Sequence, residues 1–325
     1  MQKIARPARR VFYYARNVAR DGLPQWLFRR QLPALLEGFA QNPSSGIAAR
    51  VRHYNRLAAP FVVSPEARPV GGIPMRKSYY YYDLKEHARY FDRSCRLNFL
   101  FGDIVDIPPR PTIVKSRPIG GDNAHSVLMN LDKLRHFKLG IVADRLRFED
   151  KKPMALWRGD ANNEKRYALV AAHARSTTVD IGFTTGAVPD WQRKPRMSVA
   201  EQLQYRYVIS EEGVDVATNL KWIFASNSLC LMPQPNFETW FMEGRLQPGV
   251  HYAALRPDGA DLDEVVAHYE NHPDEAQRII ANAQAHFRQF TDTASERLVS
   301  LLVLYKYFAL SGQIDPDARI MASIA

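Results

Sequence analysis

Cysteine is nearly absent from this chain. Two occur among 325 residues, Cys95 and Cys230, far apart and both in apolar settings. This excludes a disulfide-built scaffold and reads as buried thiols in a reducing compartment. No apolar run reaches the roughly 18 residues that a membrane-spanning helix needs; the best stretch, 298–310, is interrupted by Lys306. The N-terminus lacks an unbroken apolar segment ahead of a small-residue cleavage site, so no signal peptide is expected. There is no Walker or GxGxxG glycine loop and no Gly-x-Ser-x-Gly elbow, which argues against an ATPase, a dehydrogenase and an α/β-hydrolase. His268 and His272 stand four apart without a third ligand, and Asp261-Leu262-Asp263 lies at an expected helix start, so no metal site is expected. Internal repeats and low-complexity segments are also missing.

Acidic residues are scarce in the first fifth of the chain. Residues 1–56 hold eleven Lys/Arg against only Asp21 and Glu37, a local net charge of +9 out of +10 for the whole protein. Aromatic and aliphatic residues alternate with these charges, among them Val11, Phe12, Tyr13, Trp26, Leu27 and Phe28. Basic residues mixed with apolar ones read as a segment for an anionic membrane surface. A pair of helices packed on the body with a solvated basic face is the alternative. Nucleic acid is the third option, without a recognisable binding motif to support it. Hydrophobic residues make up 46% of the chain, enough for a sizeable core, and the length suits two domains.

What is present is an alternation of strands and helices. Helices are expected to about residue 57, broken by Pro24, Pro33 and a polar stretch over 42–45, with a Pro/Gly-rich loop over 64–76. The apolar run 97–101 ends in Gly102-Asp103 and reads as a buried strand delivering a carboxylate. A second short strand covers 112–115. Beyond the charged segment 144–152, strands are expected over 154–157, 179–183, 207–210, 229–232 and 251–255. The helices between them are placed at 163–175 and 198–204, and then from Asp261 as N-cap and from Pro273 onwards. An amphipathic helix over about 294–310 closes the series. This alternation implies an α/β fold with a parallel sheet. The resulting division is a basic helical segment 1–60, a domain 61–150, a domain 151–292, and a C-terminal helix and tail 293–325. Within it, 207–232 forms a strand, an acidic turn (Glu211-Glu212-Gly213), a short amphipathic helix and a second strand. Open α/β sheets bind ligands at such strand ends, and a helix N-terminus there suits an anion such as a diphosphate.

The second half resembles the family-90 glycosyltransferases. The matching pieces are LWRGDANNEKRYALV (156–170), YRYVISEEGVDVATNLKWIFASNSLCLMP (205–233), ETWFMEGRLQPGVHY (238–252) and the helices over 261–284. Weaker matches cover 99–119 and 126–137. The wording is closest to the bacterial lipopolysaccharide branch. The resemblance implies the GT-B architecture, two Rossmann-like domains facing a cleft, with a UDP-sugar on the C-terminal one and transfer with inversion. It implies no metal and no cofactor beyond that co-substrate.

It also implies site residues. Asp103 matches the catalytic base, with Asp106 as competitor. Arg166 matches the arginine that holds the diphosphate, and Arg158 stands across the same loop, with an inter-domain or helix-capping salt bridge as its alternative. The turn Gly213, Val216, Ala217, Thr218, Asn219 and Lys221 matches the donor loop. Asn219 departs from the pattern, falling where the glucosyltransferase branch has an arginine. Glu238 or Glu243 matches a ribose-binding carboxylate, Glu238 being expected to open a helix. Lys115 and Arg117 are possible contacts to the diphosphate or to a phosphorylated acceptor. The expectation is an enzyme at the inner face of the cytoplasmic membrane, held there by residues 1–40 and acting on a glycolipid or oligosaccharide. A non-catalytic adaptor that has kept the fold is the alternative.

Overall fold

The computed structural model describes residues 6–138, 140–173 and 176–325. Residues 1–5, which open the basic segment, lie outside the described residues, as do 174–175 at the end of the helix expected over 163–175. The elements in chain order are α1 (Arg6–Asp21), α2 (Trp26–Arg29), α3 (Leu32–Gln41), α4 (Ser45–Tyr54), β1 (Arg68–Pro69), α5 (Ser78–Ala88), β2 (Arg96–Leu97), β3 (Thr112–Val114), β4 (Arg117–Pro118) and β5 (Ser126–Leu128). There follow β6 (Lys152–Asp160), α6 (Glu164–Ala172), β7 (Val179–Thr185), α7 (Val199–Gln202), β8 (Tyr205–Ile209), α8 (Leu220–Phe224), β9 (Leu229–Met232), β10 (Phe237–Glu238), β11 (Ala253–Ala254), α9 (Leu262–Asn271), α10 (Pro273–Arg288), α11 (Thr293–Leu310) and α12 (Ala318–Ile324). They form two compact units. The first is Met1–Leu139 with Phe237–Met242 and Asp292–Ala325, and the second is Gly140–Asn236 with Glu243–Thr291.

The second unit is a five-stranded parallel sheet in the order β11-β9-β8-β6-β7. Its central strands are apolar on both faces: Ala155, Leu156 and Trp157 are buried in succession, as are Tyr207, Val208 and Ile209 and all of β9. Strands covered on both sides read as continuous apolar runs, as these do. Pro273 starts α10, and Ala276, Ile279, Ile280 and Ala283 bury one helical face at the expected spacing.

The first unit is mainly helical around small sheets. β3 and β5 pair in parallel, and Phe99 bridges to Ile113 beside them. The strand expected over 97–101 pairs regularly only at β2. Asn98 turns its side chain to the Pro111 carbonyl, and Gly102, at φ +132°, ends the run. Four consecutive tyrosines, Tyr79 to Tyr82, lie on α5, and Tyr80, Tyr81 and Tyr82 are buried.

Two expectations are corrected. α11 is not amphipathic: every residue from Val299 to Phe308 is buried, so it is a core helix. Even Lys306 lies inside, its Nζ donating to the carbonyls of Asn55 and Ile324. α8 is a single turn whose five residues are all buried, so it has no polar face. Asp261 stands at the N-cap position of α9 as expected, although its carboxylate makes no capping bond; both oxygens accept from the Arg256 backbone N–H.

Candidate active site

Asp103 follows directly on Gly102. Gly102 sits at φ +132°, a conformation that favours glycine, and a Cβ there would meet only the far end of the flexible Lys77 side chain, 2.6 Å from Nζ. That ammonium donates to the Phe101 carbonyl, 2.7 Å away. Asp103 Oδ1 receives Lys115 Nζ at 2.5 Å and Arg135 Nη2 at 3.5 Å. Lys115, just beyond β3, is fully buried, while the Asp103 side chain is one-third exposed. Arg135 also pairs with buried Asp132, a residue in left-handed backbone at φ +61°. Burial pushes the Asp103 carboxyl up, but Lys115, Arg135 and Lys77 outweigh it and hold the group below the usual carboxylate range. The carboxylate is therefore ionised at neutral pH, and Oδ2 makes no hydrogen bond among the described residues. Asp106 is exposed on the same loop, without a hydrogen bond or ion pair among the described residues.

Arg117 and Glu238 come together in the first unit. β10 pairs with β4, setting Glu238 opposite Arg117. Glu238 thus sits on a strand and not at a helix start, which corrects the expectation; the pairing satisfies its backbone and its side chain turns inward. Arg117 is wholly buried and donates to the Glu238 carboxylate at 2.8 Å and to the His53 and Ser126 carbonyls. His53 Nε2 lies 2.9 Å from the other carboxylate oxygen, and Arg56 is 3.3 Å from the first. Despite burial, these groups hold the Glu238 carboxyl down at about 2.

In the second unit the acidic turn after β8 is gripped by Arg166. Its guanidinium donates to the carbonyls of Glu211 (2.9 Å), Glu212 (3.1 Å) and Asp160 (3.1 Å) and to Asn162 Oδ1. None of these is a carboxylate, so the positive charge is fixed in place without an ion pair. Gly213 lies under it: a Cβ there would be 3.3 Å from Arg166 Nη2. Asn163 caps α6 through the Arg166 backbone N–H and donates to the Glu212 and Gly213 carbonyls, tying the helix start to the turn. Val216 and Ala217 are buried and Thr218 is exposed. Asn219 bridges the end of β8, donating to the Ile209 carbonyl and accepting from Ser210 Oγ. Lys221 and Glu243 form a buried ion pair at 2.5 Å, 22 residues apart. Arg158 is turned along the sheet to Asp180 on β7, at 2.7 Å, and to neighbouring carbonyls, a pairing within the second unit that neither joins domains nor caps a helix.

Residues missed in the sequence are those that hold others. Arg135 and Asp132 carry the i,i+3 spacing of a helical ion pair, and Asn163 stands directly before a helical run; both were readable signals. Glu211 is buried in the turn, and its carboxyl is pushed up to about 7 by burial. His53 gave no signal, since only long-range pairing brings it to Glu238.

Among the described residues no group of three metal-binding side chains occurs, and no helix is long and apolar enough to cross a membrane. Glycosyl transferase family 90 matches residues 127–307. The chain is 44% identical over 315 residues to O-glucosyltransferase LpsA of Dichelobacter nodosus, across 95% of this chain and 98% of the relative. It is 27% identical over 157 residues to an O-glucosyltransferase rumi homolog of Aedes aegypti, across 45% of this chain and 38% of that relative. With the fold and the site residues in view, these matches assign the chain to glycosyl transferase family 90 as a glycosyltransferase.

Proposed function

We propose that the enzyme transfers a sugar from a UDP-sugar to a hydroxyl on a lipopolysaccharide core or related surface glycan, with inversion at the anomeric carbon. Asp103 Oδ2 takes the acceptor proton as the acceptor oxygen bonds to that carbon. The bond to the donor diphosphate breaks in the same step, and its electron pair leaves on the phosphate oxygen. Arg166 and the turn through Gly213, Val216, Ala217 and Thr218 carry the departing charge, with no metal invoked. The ribose-side carboxylate is Glu238 or Glu243, each fixed by a basic partner. Lys115 holds the unreactive oxygen of Asp103 and sets the orientation of the other. A GT-B arrangement and a cytoplasmic, membrane-peripheral location belong to the same proposal. Glucose is the first donor sugar to try, because both relatives are named as O-glucosyltransferases.

The observation that carries the reading is the partly exposed Asp103 carboxylate, ionised, held on one oxygen and open on the other. The test is to incubate the enzyme with UDP-glucose and truncated lipopolysaccharide, and to follow UDP release and the anomeric configuration of the product. Acceptor-dependent UDP release with inverted product is expected. Retained configuration, or release of UDP that is indifferent to acceptor, would contradict it.

A further inference from the structure

Helix α1 is mounted with its polar side inward. Tyr13 Oη donates to Asp83 at 2.8 Å, Arg20 pairs with Glu86 at 2.5 Å, and Asp21 pairs with Arg89 at 2.9 Å. Tyr14 Oη bonds to Ser78, and Asn17 is buried against the same face. The side turned to solvent is apolar. Ala8, Val11, Phe12, Ala15, Val18 and Ala19 are all exposed and recur at the spacing of one helical face. Val11 is 68% exposed, Phe12 69% and Val18 57%, and Leu23 and Trp26, at 48% and 58%, continue the exposure beyond the helix. A face of this kind leaves large apolar side chains in water while polar ones are spent inside, which is the reverse of an ordinary surface helix.

Charge indicates what covers it. Most arginines of the segment are already used: Arg9 bonds to the Lys138 carbonyl, Arg20 and Arg29 pair with acids, and Arg50 is buried on Glu296. Arg10, Arg16 and Arg30 have no acidic partner among the described residues. Arg10 and Arg16 are exposed on α1 itself, and Arg30 stacks at 5.0 Å over the exposed Trp26 ring. Apolar side chains bordered by unneutralised arginines, with a tryptophan at the margin, match an anionic bilayer surface.

We propose that α1 and the α1–α2 turn form a lipid-docking face. Val11, Phe12, Val18 and Trp26 enter the headgroup–acyl boundary, and Arg10, Arg16 and Arg30 meet anionic headgroups. This gives the peripheral location a definite surface, and it holds whether or not Asp103 is the base. The test measures co-sedimentation of the full chain with vesicles of phosphatidylcholine alone and of phosphatidylcholine with phosphatidylglycerol, without donor or acceptor. Binding to the anionic vesicles is expected, with a loss of roughly tenfold or more in Val11→Ser/Phe12→Ser, and a smaller loss in Arg10→Gln/Arg16→Gln together with weaker salt dependence. Val18→Ser/Leu23→Ser is a second, independent variant of the same face. Transfer to a soluble acceptor, assayed without vesicles, is expected to stay at the wild-type level in all of them. No binding by the wild type, or equal binding by both serine variants, overturns the proposal. So does a wild-type dimer in sedimentation equilibrium that Val11→Ser/Phe12→Ser turns into monomer, because the face would then belong to a second copy of the chain.

Discussion

Replacing Glu238 by glutamine is expected to cost the first unit most of what a buried ion pair conceals. The carboxyl is held at about 2 against an ordinary 4.5. That difference is worth about 3 kcal/mol in favour of the folded state at neutral pH. Burial pulls the Arg117 guanidinium down in spite of Glu238, so desolvation of the pair offsets much of that gain. The intact pair is therefore close to break-even, while Glu238→Gln leaves Arg117 charged, buried and compensated only by carbonyls. A loss of about 3–5 kcal/mol is expected in urea unfolding. The double variant Glu238→Gln/Arg117→Met should lose much less than the sum of the two single changes. The pH dependence follows with its sign. The folded pKa is depressed, so the contribution is complete above about 4.5 and is lost as pH falls towards 2. The wild type should lose stability over that window and Glu238→Gln should not lose this component. An unfolding free energy of Glu238→Gln within about 0.5 kcal/mol of wild type would refute the reasoning, since that is the range of substitutions at unremarkable surface sites.

Lys221→Met removes one partner of a fully buried ion pair with Glu243; destabilisation of about 3–5 kcal/mol is expected in the same urea titration. Glu211 shows the opposite sign. Its carboxyl is raised to about 7, so ionisation costs stability as pH rises from 4.5 through 7. Glu211→Gln should accordingly raise Tm at pH 8 and leave it nearly unchanged at pH 4, as read by calorimetry.

Much of the second unit was legible because its strands are continuous apolar runs punctuated by polar turns. The strands at 154–157, 179–183, 207–210 and 229–232 are all present within a few residues, and the helix begun by Pro273 starts there. The first unit was harder to read. β10 and β4 are two residues each and exist only because distant segments pair, so Glu238 was expected on a helix. α11 carries a serine and a lysine that look like a polar face, yet both find carbonyl acceptors inside the core. At the candidate site, the position of Asp103 after a glycine was visible, and so was the basic pair Lys115 and Arg117. That the two basic residues diverge, Lys115 to Asp103 and Arg117 to Glu238, depends on the break between β3 and β4: within one strand, residues two apart would leave the same face. Asn219 was notable as a missing charge. In the fold it ties Ser210 and Ile209 to the start of α8, a task its short amide performs and an arginine would not.

The most direct test of Asp103 as the base is single-turnover transfer by Asp103→Asn, with donor binding and thermal unfolding followed on the same preparation. Asparagine keeps an oxygen for Lys115 but cannot take the acceptor proton. The transfer rate should fall roughly a hundred- to ten-thousand-fold, with donor affinity within a few-fold of wild type and the unfolding transition still cooperative. Wild-type transfer by a folded Asp103→Asn enzyme would contradict the assignment and turn attention to Asp106.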